Sequence, residues 1–152
     1  MSTAMPPAAS LYLVVGYDGS APAVRALDSA AALLRGREGS IEVVYVASLT
    51  TTEMMSPDAI AEMEVTFGEI TRDLEAQAAE QLRGREDRWT FGHGQGVVTD
   101  VLLATAAKIS EAHPDDTVAI VVGSSSQARH RLVGSVAVNL ARHAPVPLMI
   151  VP

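Results

Sequence analysis

The sequence contains no cysteine, a single lysine and no apolar run that approaches the roughly 20 residues of a membrane-spanning helix. The missing cysteines exclude disulfides, thiolate metal sites and cysteine nucleophiles. The first residues, MSTAMPPAAS, have neither the basic region nor the apolar core of a secretion signal. A net charge of -7 leaves no cationic field for nucleic acid. We therefore expect a cytoplasmic protein without nucleic-acid or membrane partners.

Short apolar segments alternate with amphipathic ones along the whole chain. Continuous apolar runs predict strands at residues 11–16, 41–47, 118–122 and 148–151, and residues 88–91 predict a short strand near an edge. Apolar residues at helical spacing predict helices after Ser20, after Ser56, over 97–112 and after Gly134. The segment GHGQG at 92–96 is interpreted as a flexible turn.

This alternation predicts an α/β fold with one doubly wound, parallel, five-stranded sheet and helices on both faces. We assign residues 11–152 to this single domain and residues 1–10 to a disordered tail. The long helix after Ser56 has an apolar stripe that packs on the sheet; a coiled-coil partner role is the alternative.

The segment 118–135 has the pattern of an anion site. An apolar strand breaks at Gly123 into three serines, and Gly134 and Ser135 then open a helix. A loop of small residues exposes backbone N–H groups, and a helix N-terminus adds partial positive charge. If the first and fourth strands are neighbours, the loop at 16–20 faces the same crevice. Asp18 would then accept hydrogen bonds from a ribose or an adenine amine, or it caps the first helix.

Other sequence patterns exclude several alternative sites. GYDGSA lacks the glycine spacing of a dinucleotide fingerprint, and the only lysine, Lys108, lies within a helix rather than in a phosphate loop. No nucleophile elbow is present. The four histidines have no spacing that gathers them on one metal, so no metal site is expected: His93, His113, His130 and His143.

Several segments resemble the universal stress protein family. These are YDGSAPAVRALDSAAAL after the first strand, VVGSSS after the fourth and the closing LVGSVAVNLARHAPVPLMIVP. The resemblance covers residues 11–151. It implies a flavodoxin-like or HUP-type fold, a homodimer and, in one branch, a crevice that binds ATP. Residues matched to that crevice are Asp18, Val46, Gly123, Ser126, Gly134 and Ser135.

The phosphate loop departs from the pattern of the ATP-binding branch. That pattern is glycine, two residues, glycine, nine residues, then Gly-Ser or Gly-Thr. Here Ser126 replaces the second glycine, and only seven residues separate it from Gly134. A serine at a positive-φ position costs about 1 kcal/mol, and two lost residues shorten the reach by up to roughly 7 Å. We therefore expect either a preference for fewer phosphates or a triphosphate tail that points toward solvent. The basic residues 129–131 either offset this loss by pairing with phosphate or form a solvated face.

The resemblance leads to three functional hypotheses. The first is a dimeric regulatory stress-response protein that binds ATP or an AMP-type nucleotide with little or no turnover. The second is a dimeric interaction module of the branch that binds no nucleotide. The third, a small ATPase or phosphotransferase, lacks a phosphate-binding lysine and any evident base or metal-binding carboxylate pair beyond Asp18.

The expected dimer forms through the last strand. In the strand order of the family, residues 148–151 are an edge, and all four are apolar. Neither lysine nor a central proline protects this edge from pairing with a second copy. A monomer whose edge is covered by the N-terminal tail is the alternative.

Overall fold

The computed structural model describes residues 4–5, 8–48, 54–124 and 134–152, and the structural statements below concern these residues. Strands and helices alternate along the chain. The strands are β1 (Leu11–Gly16), β2 (Gly39–Ala47), β3 (Trp89–Gln95), β4 (Thr117–Gly123) and β5 (Leu148–Val151). The helices are α1 (Ala21–Leu34), α2 (Pro57–Gln81), α3 (Val98–Ala112) and α4 (Ser135–His143).

The strands form one parallel sheet in the order β3-β2-β1-β4-β5. This confirms the predicted α/β architecture and places the first and fourth strands side by side at its centre. Val14 and Val15 of β1, like Ile120 and Val121 of β4, are fully buried. Both strands are continuous apolar runs because helices cover both faces of the sheet.

Two apolar cores lie on opposite faces of the sheet. Leu13 and Val15 point into the core that contains α1 and the second half of α2. Val14 points into the other core, which Leu102 of α3 and Leu140 of α4 complete. Successive side chains of a strand point to opposite faces, so a single strand supplies both cores.

The helix α1 begins as the sequence predicts. Ser20 is its N-cap, and the Ser20 hydroxyl accepts a hydrogen bond of 3.3 Å from the N–H of Ala23. Pro22 lies in the first turn, where its missing N–H removes no intrahelical hydrogen bond. The buried side chains of α1 then anchor it to the sheet: Ala23, Ala26, Leu27, Ala30 and Leu34.

The prediction for residues 88–96 was wrong in part. The strand is not confined to 88–91, because β3 continues to Gln95 and pairs with β2 as far as Ala47. A Cβ at Gly92 would lie 2.9 Å from Oε1 of Glu42, and one at Gly94 would lie 3.2 Å from Val101. The glycines therefore make room for neighbouring side chains within a strand and do not mark a turn.

The helix α2 packs on the sheet mainly through its second half. Its buried residues are Thr71, Leu74 and Ala78. Nearer the N-terminus, the ring of Phe67 lies 6.0 Å from that of Tyr45. Ile70, which belongs to the predicted apolar stripe, is 40% exposed because it lies at the margin of the packed face. No described helix is long and apolar enough to cross a membrane.

Hydrogen bonds tie both chain ends of the domain to the sheet. The N–H of Ser10 donates to Oδ1 of Asp116 at 2.8 Å, and the Ser10 carbonyl accepts from Thr117. At the other end, β5 occupies the edge beside β4, and Nε of Arg25 donates to the carbonyl of Pro152 at 2.6 Å. The edge position of β5 was predicted correctly.

Two glycines with open space around them test how backbone conformation affects stability. Gly68 lies within α2 and Gly36 follows α1 with φ +72°; a Cβ at either position would meet no atom within 4 Å. We expect Gly68→Ala to raise the free energy of unfolding by about 0.5–1 kcal/mol. Gly36→Ala should lower it by about 1–2 kcal/mol, because only the second site requires left-handed backbone. Urea unfolding of both variants measures this; changes of equal sign would contradict it.

Candidate functional site

A cavity of about 310 Å³ opens at the carboxyl ends of β1, β2 and β4. The chain leaves β1 and β4 toward opposite halves of the sheet, and such a switch point is where α/β sheets bind ligands. Of the six residues predicted for the site, five lie at this cavity: Asp18, Val46, Gly123, Gly134 and Ser135. The sixth, Ser126, and the basic residues 129–131 lie outside the described residues.

The interior of the cavity is apolar. Val44 and Val46 of β2 and Val122 of β4 form its floor, and Leu102 of α3 lies on the same side. Polar groups are found at the rim, where Ser20, Ser48 and Ser124 line the opening. A flat apolar ring with polar substituents fits this distribution. Ser20, Val122 and Ser124 lie in the two segments predicted to face the crevice, 16–20 and 118–135, whereas Val44, Ser48 and Leu102 were not predicted.

The backbone of Val46 has an unusual position in the sheet. The carbonyl of Val44 accepts the N–H of Tyr17 at 2.9 Å, which is the last bond between β1 and β2 in the described part of the chain. Alternate residues of a strand direct their N–H and C=O to the same side. Val46 therefore directs both groups past the end of β1, toward the cavity. A donor and an acceptor on one residue match the edge of a base.

Asp18 has a structural role as well as a position at the cavity. Its Oδ1 accepts a hydrogen bond of 3.0 Å from the N–H of Ser20, which shapes the turn before α1. Gly19, between them, has φ +76°, and a Cβ there would lie 2.7 Å from Leu74. The turn therefore holds an exposed carboxylate at the cavity rim and leaves its second oxygen for a ligand.

The N-terminus of α4 offers backbone donors to the cavity. Gly134 is its N-cap and provides no side-chain cap, and the first intrahelical bond runs from Val138 to the Gly134 carbonyl. The N–H groups of residues 135–137 therefore have no partner in the part of the chain that the structure describes. All three residues line the cavity. An uncapped helix N-terminus of this kind attracts an anion.

Gly123 is required by packing. A Cβ at this position would lie 2.5–2.6 Å from the backbone carbon, carbonyl oxygen and Cβ of Pro22. The end of β4 and the first turn of α1 are therefore in direct contact at the cavity. This contact explains why residue 123 is glycine even without a bound phosphate. The sequence pattern alone does not reveal this reason.

Tyr17 is the least exposed polar residue at the cavity, with 3% of its surface accessible. Burial raises the pKa of its phenol above the usual value, and the carboxylates of Asp18 and Asp28 raise it further. The phenol thus remains neutral at physiological pH. Its ring packs in the core beneath α1 and α2, on the face of the sheet opposite to Val44 and Leu102.

Comparisons with known proteins identify the family and the fold of the chain. The profile of the universal stress protein family matches residues 12–152. No curated protein sequence matches the chain. A solved structure of universal stress protein UspA from Lactobacillus plantarum is 19% identical, covers 95% of this chain and 99% of its own, and has a TM-score of 0.65.

Two further solved structures contain nucleotides. A universal stress protein in complex with cAMP is 22% identical, with coverage of 95% and 99% and a TM-score of 0.64. One from Archaeoglobus fulgidus in complex with dAMP is 22% identical, with coverage of 95% and 98% and a TM-score of 0.54. At these identities the likeness establishes a shared fold, and the bound nucleotides describe those proteins.

Substitution of Gly123 tests the contact that shapes the cavity. We expect Gly123→Ala to lower the free energy of unfolding by about 1–3 kcal/mol, because the new methyl group overlaps the backbone of Pro22. Gly16→Ala is the control, since its Cβ would meet only movable side-chain atoms of Leu102 and Val122 at 3.3 Å. Denaturant unfolding measures both variants. A larger loss in Gly16→Ala would show that the Pro22 contact does not control this end of the sheet.

Proposed function

The chain belongs to the universal stress protein family, and we propose that it is a regulatory stress-response protein that binds an adenine nucleotide. One observation carries this proposal: the N-terminus of α4, whose N-cap Gly134 has no side chain, lies at the same cavity as the backbone N–H and C=O of Val46, which point past the end of β1. A phosphate and a base are thereby accommodated at two ends of one cavity.

The adenine ring occupies the apolar part of the cavity. Its faces contact Val44 and Leu102, and burial of a ring there displaces water from apolar surface. The N–H of Val46 donates to a ring nitrogen, and its carbonyl accepts from the exocyclic amine. This pair of hydrogen bonds distinguishes adenine from guanine, whose corresponding edge carries an acceptor where adenine has the amine.

The ribose lies at the rim beside Asp18. The carboxylate oxygen that is not bonded to Ser20 accepts from a sugar hydroxyl, a charge-assisted hydrogen bond. The phosphate lies at α4, where the N–H groups of residues 135–137 converge and the hydroxyl of Ser135 adds a further donor. Gly134, without a side chain, leaves the approach to these donors open.

We propose that the bound nucleotide carries few phosphates. The described lining contains one carboxylate and neither lysine nor arginine, so nothing described there neutralises the charge of a triphosphate. The nucleotides in the two neighbouring structures, cAMP and dAMP, each carry one phosphate. An AMP-type ligand therefore has the best support, in line with the expectation from the shortened phosphate loop.

Little or no turnover is expected from this site. Phosphoryl transfer depends on positioned cations and on a group that orients the nucleophile. Asp18, the one acidic residue of the described lining, binds the turn before α1 with one oxygen and the ribose with the other in this proposal, which leaves no acidic residue described there to orient a nucleophile. The ligand thus acts as a regulatory signal in this proposal and is not a substrate.

A homodimer through β5 completes the proposal. The carbonyls of Pro147 and Val151 accept hydrogen bonds from the N–H groups of Ile120 in β4 and of Ser124 just after it, so odd-numbered residues of this strand face β4. The N–H and C=O of Leu148 and Ile150 therefore point outward, along an edge where Met149 is 36% exposed. Two copies related by a two-fold axis can pair these edges antiparallel.

Calorimetric titration with AMP, cyclic AMP, ADP and ATP tests the nucleotide site. We expect AMP-type ligands to bind more tightly than ATP, and Gly134→Val to weaken them at least about tenfold, because its side chain covers the donors of α4. Gly68→Ala, a change on α2 away from the cavity, is the control and should bind like wild type. Equal affinities of wild type and Gly134→Val would remove this site from consideration.

Light scattering tests the dimer. The wild-type protein should have about twice the 16.0 kDa mass of one chain, and Ile150→Pro should reduce it toward one chain. The proline removes an outward N–H and leaves the bonds to β4 intact. Gln95→Pro, at an outward position of the opposite edge strand β3, is the matched control and should remain dimeric. A monomeric wild type at micromolar concentration would contradict the proposal.

A further inference from the structure

A second cavity, of about 220 Å³, lies on the α3 face of the sheet. It borders the amino-terminal halves of β1 and β2 and the last two turns of α3. Its polar lining residues are Tyr12, Ser40, Glu42, Lys108 and His113. It shares no lining residue with the cavity at the carboxyl ends of the strands. The two cavities are therefore separate.

Glu42 is held in a defined position at this cavity. It is partly buried on the face of β2 that otherwise carries Val44 and Val46 toward α3. The hydroxyl of Thr90 donates to its carboxylate. Its Oε1 lies where a side chain on Gly92 would be, since a Cβ at that glycine would be only 2.9 Å away. The glycine of β3 thus lets a carboxylate lie within the sheet surface.

Lys108, the only lysine of the chain, lines the same cavity from α3. No ion pair within 4.0 Å joins it to a carboxylate in the described part of the chain, and Glu42 forms none either. A cation and an anion therefore share one cavity without neutralising each other directly. Each retains hydrogen-bonding capacity for a ligand.

The remaining groups close one end of the cavity and add hydroxyl groups. Tyr12 and Ser40 are paired in the register of β1 and β2. The ring of Tyr12 stacks on that of His113, with centroids 4.1 Å apart, and Nδ1 of His113 lies 3.5 Å from Oδ2 of Asp116. This end is therefore fixed by contacts among its own side chains, and Ile109 supplies an apolar wall.

We propose that this cavity binds a small zwitterion of amino-acid size, with its ammonium on Glu42 and its carboxylate on Lys108. Such a ligand pairs with both charges at once, whereas a simple cation or anion would pair with only one of them. The volume lies below the roughly 300–1,000 Å³ of sites for larger ligands, so a nucleotide is disfavoured here. The proposal does not depend on nucleotide binding at the other cavity.

The single lysine makes a direct test possible. Protein labelled with [13Cε]lysine gives one side-chain signal, from Lys108. We titrate it with individual free L-amino acids up to about 10 mM, a concentration that saturates a millimolar site. At least one should shift the signal saturably. Its N-acetyl and amide derivatives, which each lack one charge, should bind at least about tenfold more weakly.

Variants assign the second charge. Glu42→Gln keeps an acceptor for Thr90 and removes the carboxylate, so it should weaken binding at least about tenfold. Glu111→Gln, an exposed change on α3 outside the cavity lining, is the control and should leave binding unchanged. Circular dichroism checks the fold. If Glu42→Gln unfolds, binding of the amino acid to Lys108→Gln is measured by calorimetry instead. Loss of binding in that variant supports the site.

Three results would overturn the proposal. The first is the absence of a saturable shift with any free amino acid. The second is equal binding of the free and blocked forms. The third is a set of variants that does not single out the cavity: either Glu42→Gln (or Lys108→Gln where that variant is used) still binds, or Glu111→Gln loses binding equally. In the latter case a general effect of net charge would explain the loss.

Discussion

The contact between the end of β4 and the first turn of α1 determines the shape of the candidate nucleotide site. Gly123 has no room for a side chain because Pro22 lies against its backbone. One residue further on, the N–H of Ser124 donates to the carbonyl of Val151 at 2.7 Å. The same short segment thereby joins α1, the cavity and the edge strand β5. The segment that borders the cavity is thus hydrogen-bonded to the edge strand through which we propose dimerisation.

Much of the fold could be predicted from the sequence, because strong local signals agree with the tertiary structure. The apolar runs of β1 and β4 require cover on both faces, and Ser20 before Pro22 specifies the start of α1. The prediction failed at β3, where Gly92 and Gly94 have the local signature of a turn. Glycine was needed there because Glu42 and Val101 lie over the strand, and such long-range contacts leave no local pattern.

The candidate site was predicted less completely than the fold. Gly134 and Ser135 follow from the signature of a helix start, and Asp18 follows from a strand end. The role of Val46 was predicted from family resemblance alone. It depends on backbone groups that are directed past the end of β1, which no side-chain pattern reveals. The apolar floor and the buried Tyr17 depend on which strands are neighbours, which residue spacing does not specify. The second cavity was not predicted, since its charges come from β2 and α3, far apart in the sequence.

Backbone amide shifts in the nuclear magnetic resonance spectrum during titration with AMP decide whether the nucleotide binds at this cavity. We expect saturable shifts of the amides of Val46 and of residues 135–137, which bind the base and the phosphate in our proposal. The amides of Trp89 and of the outer face of α2 should remain unchanged. An unchanged spectrum at millimolar AMP, or shifts confined to residues away from the carboxyl ends of β1, β2 and β4, would contradict it.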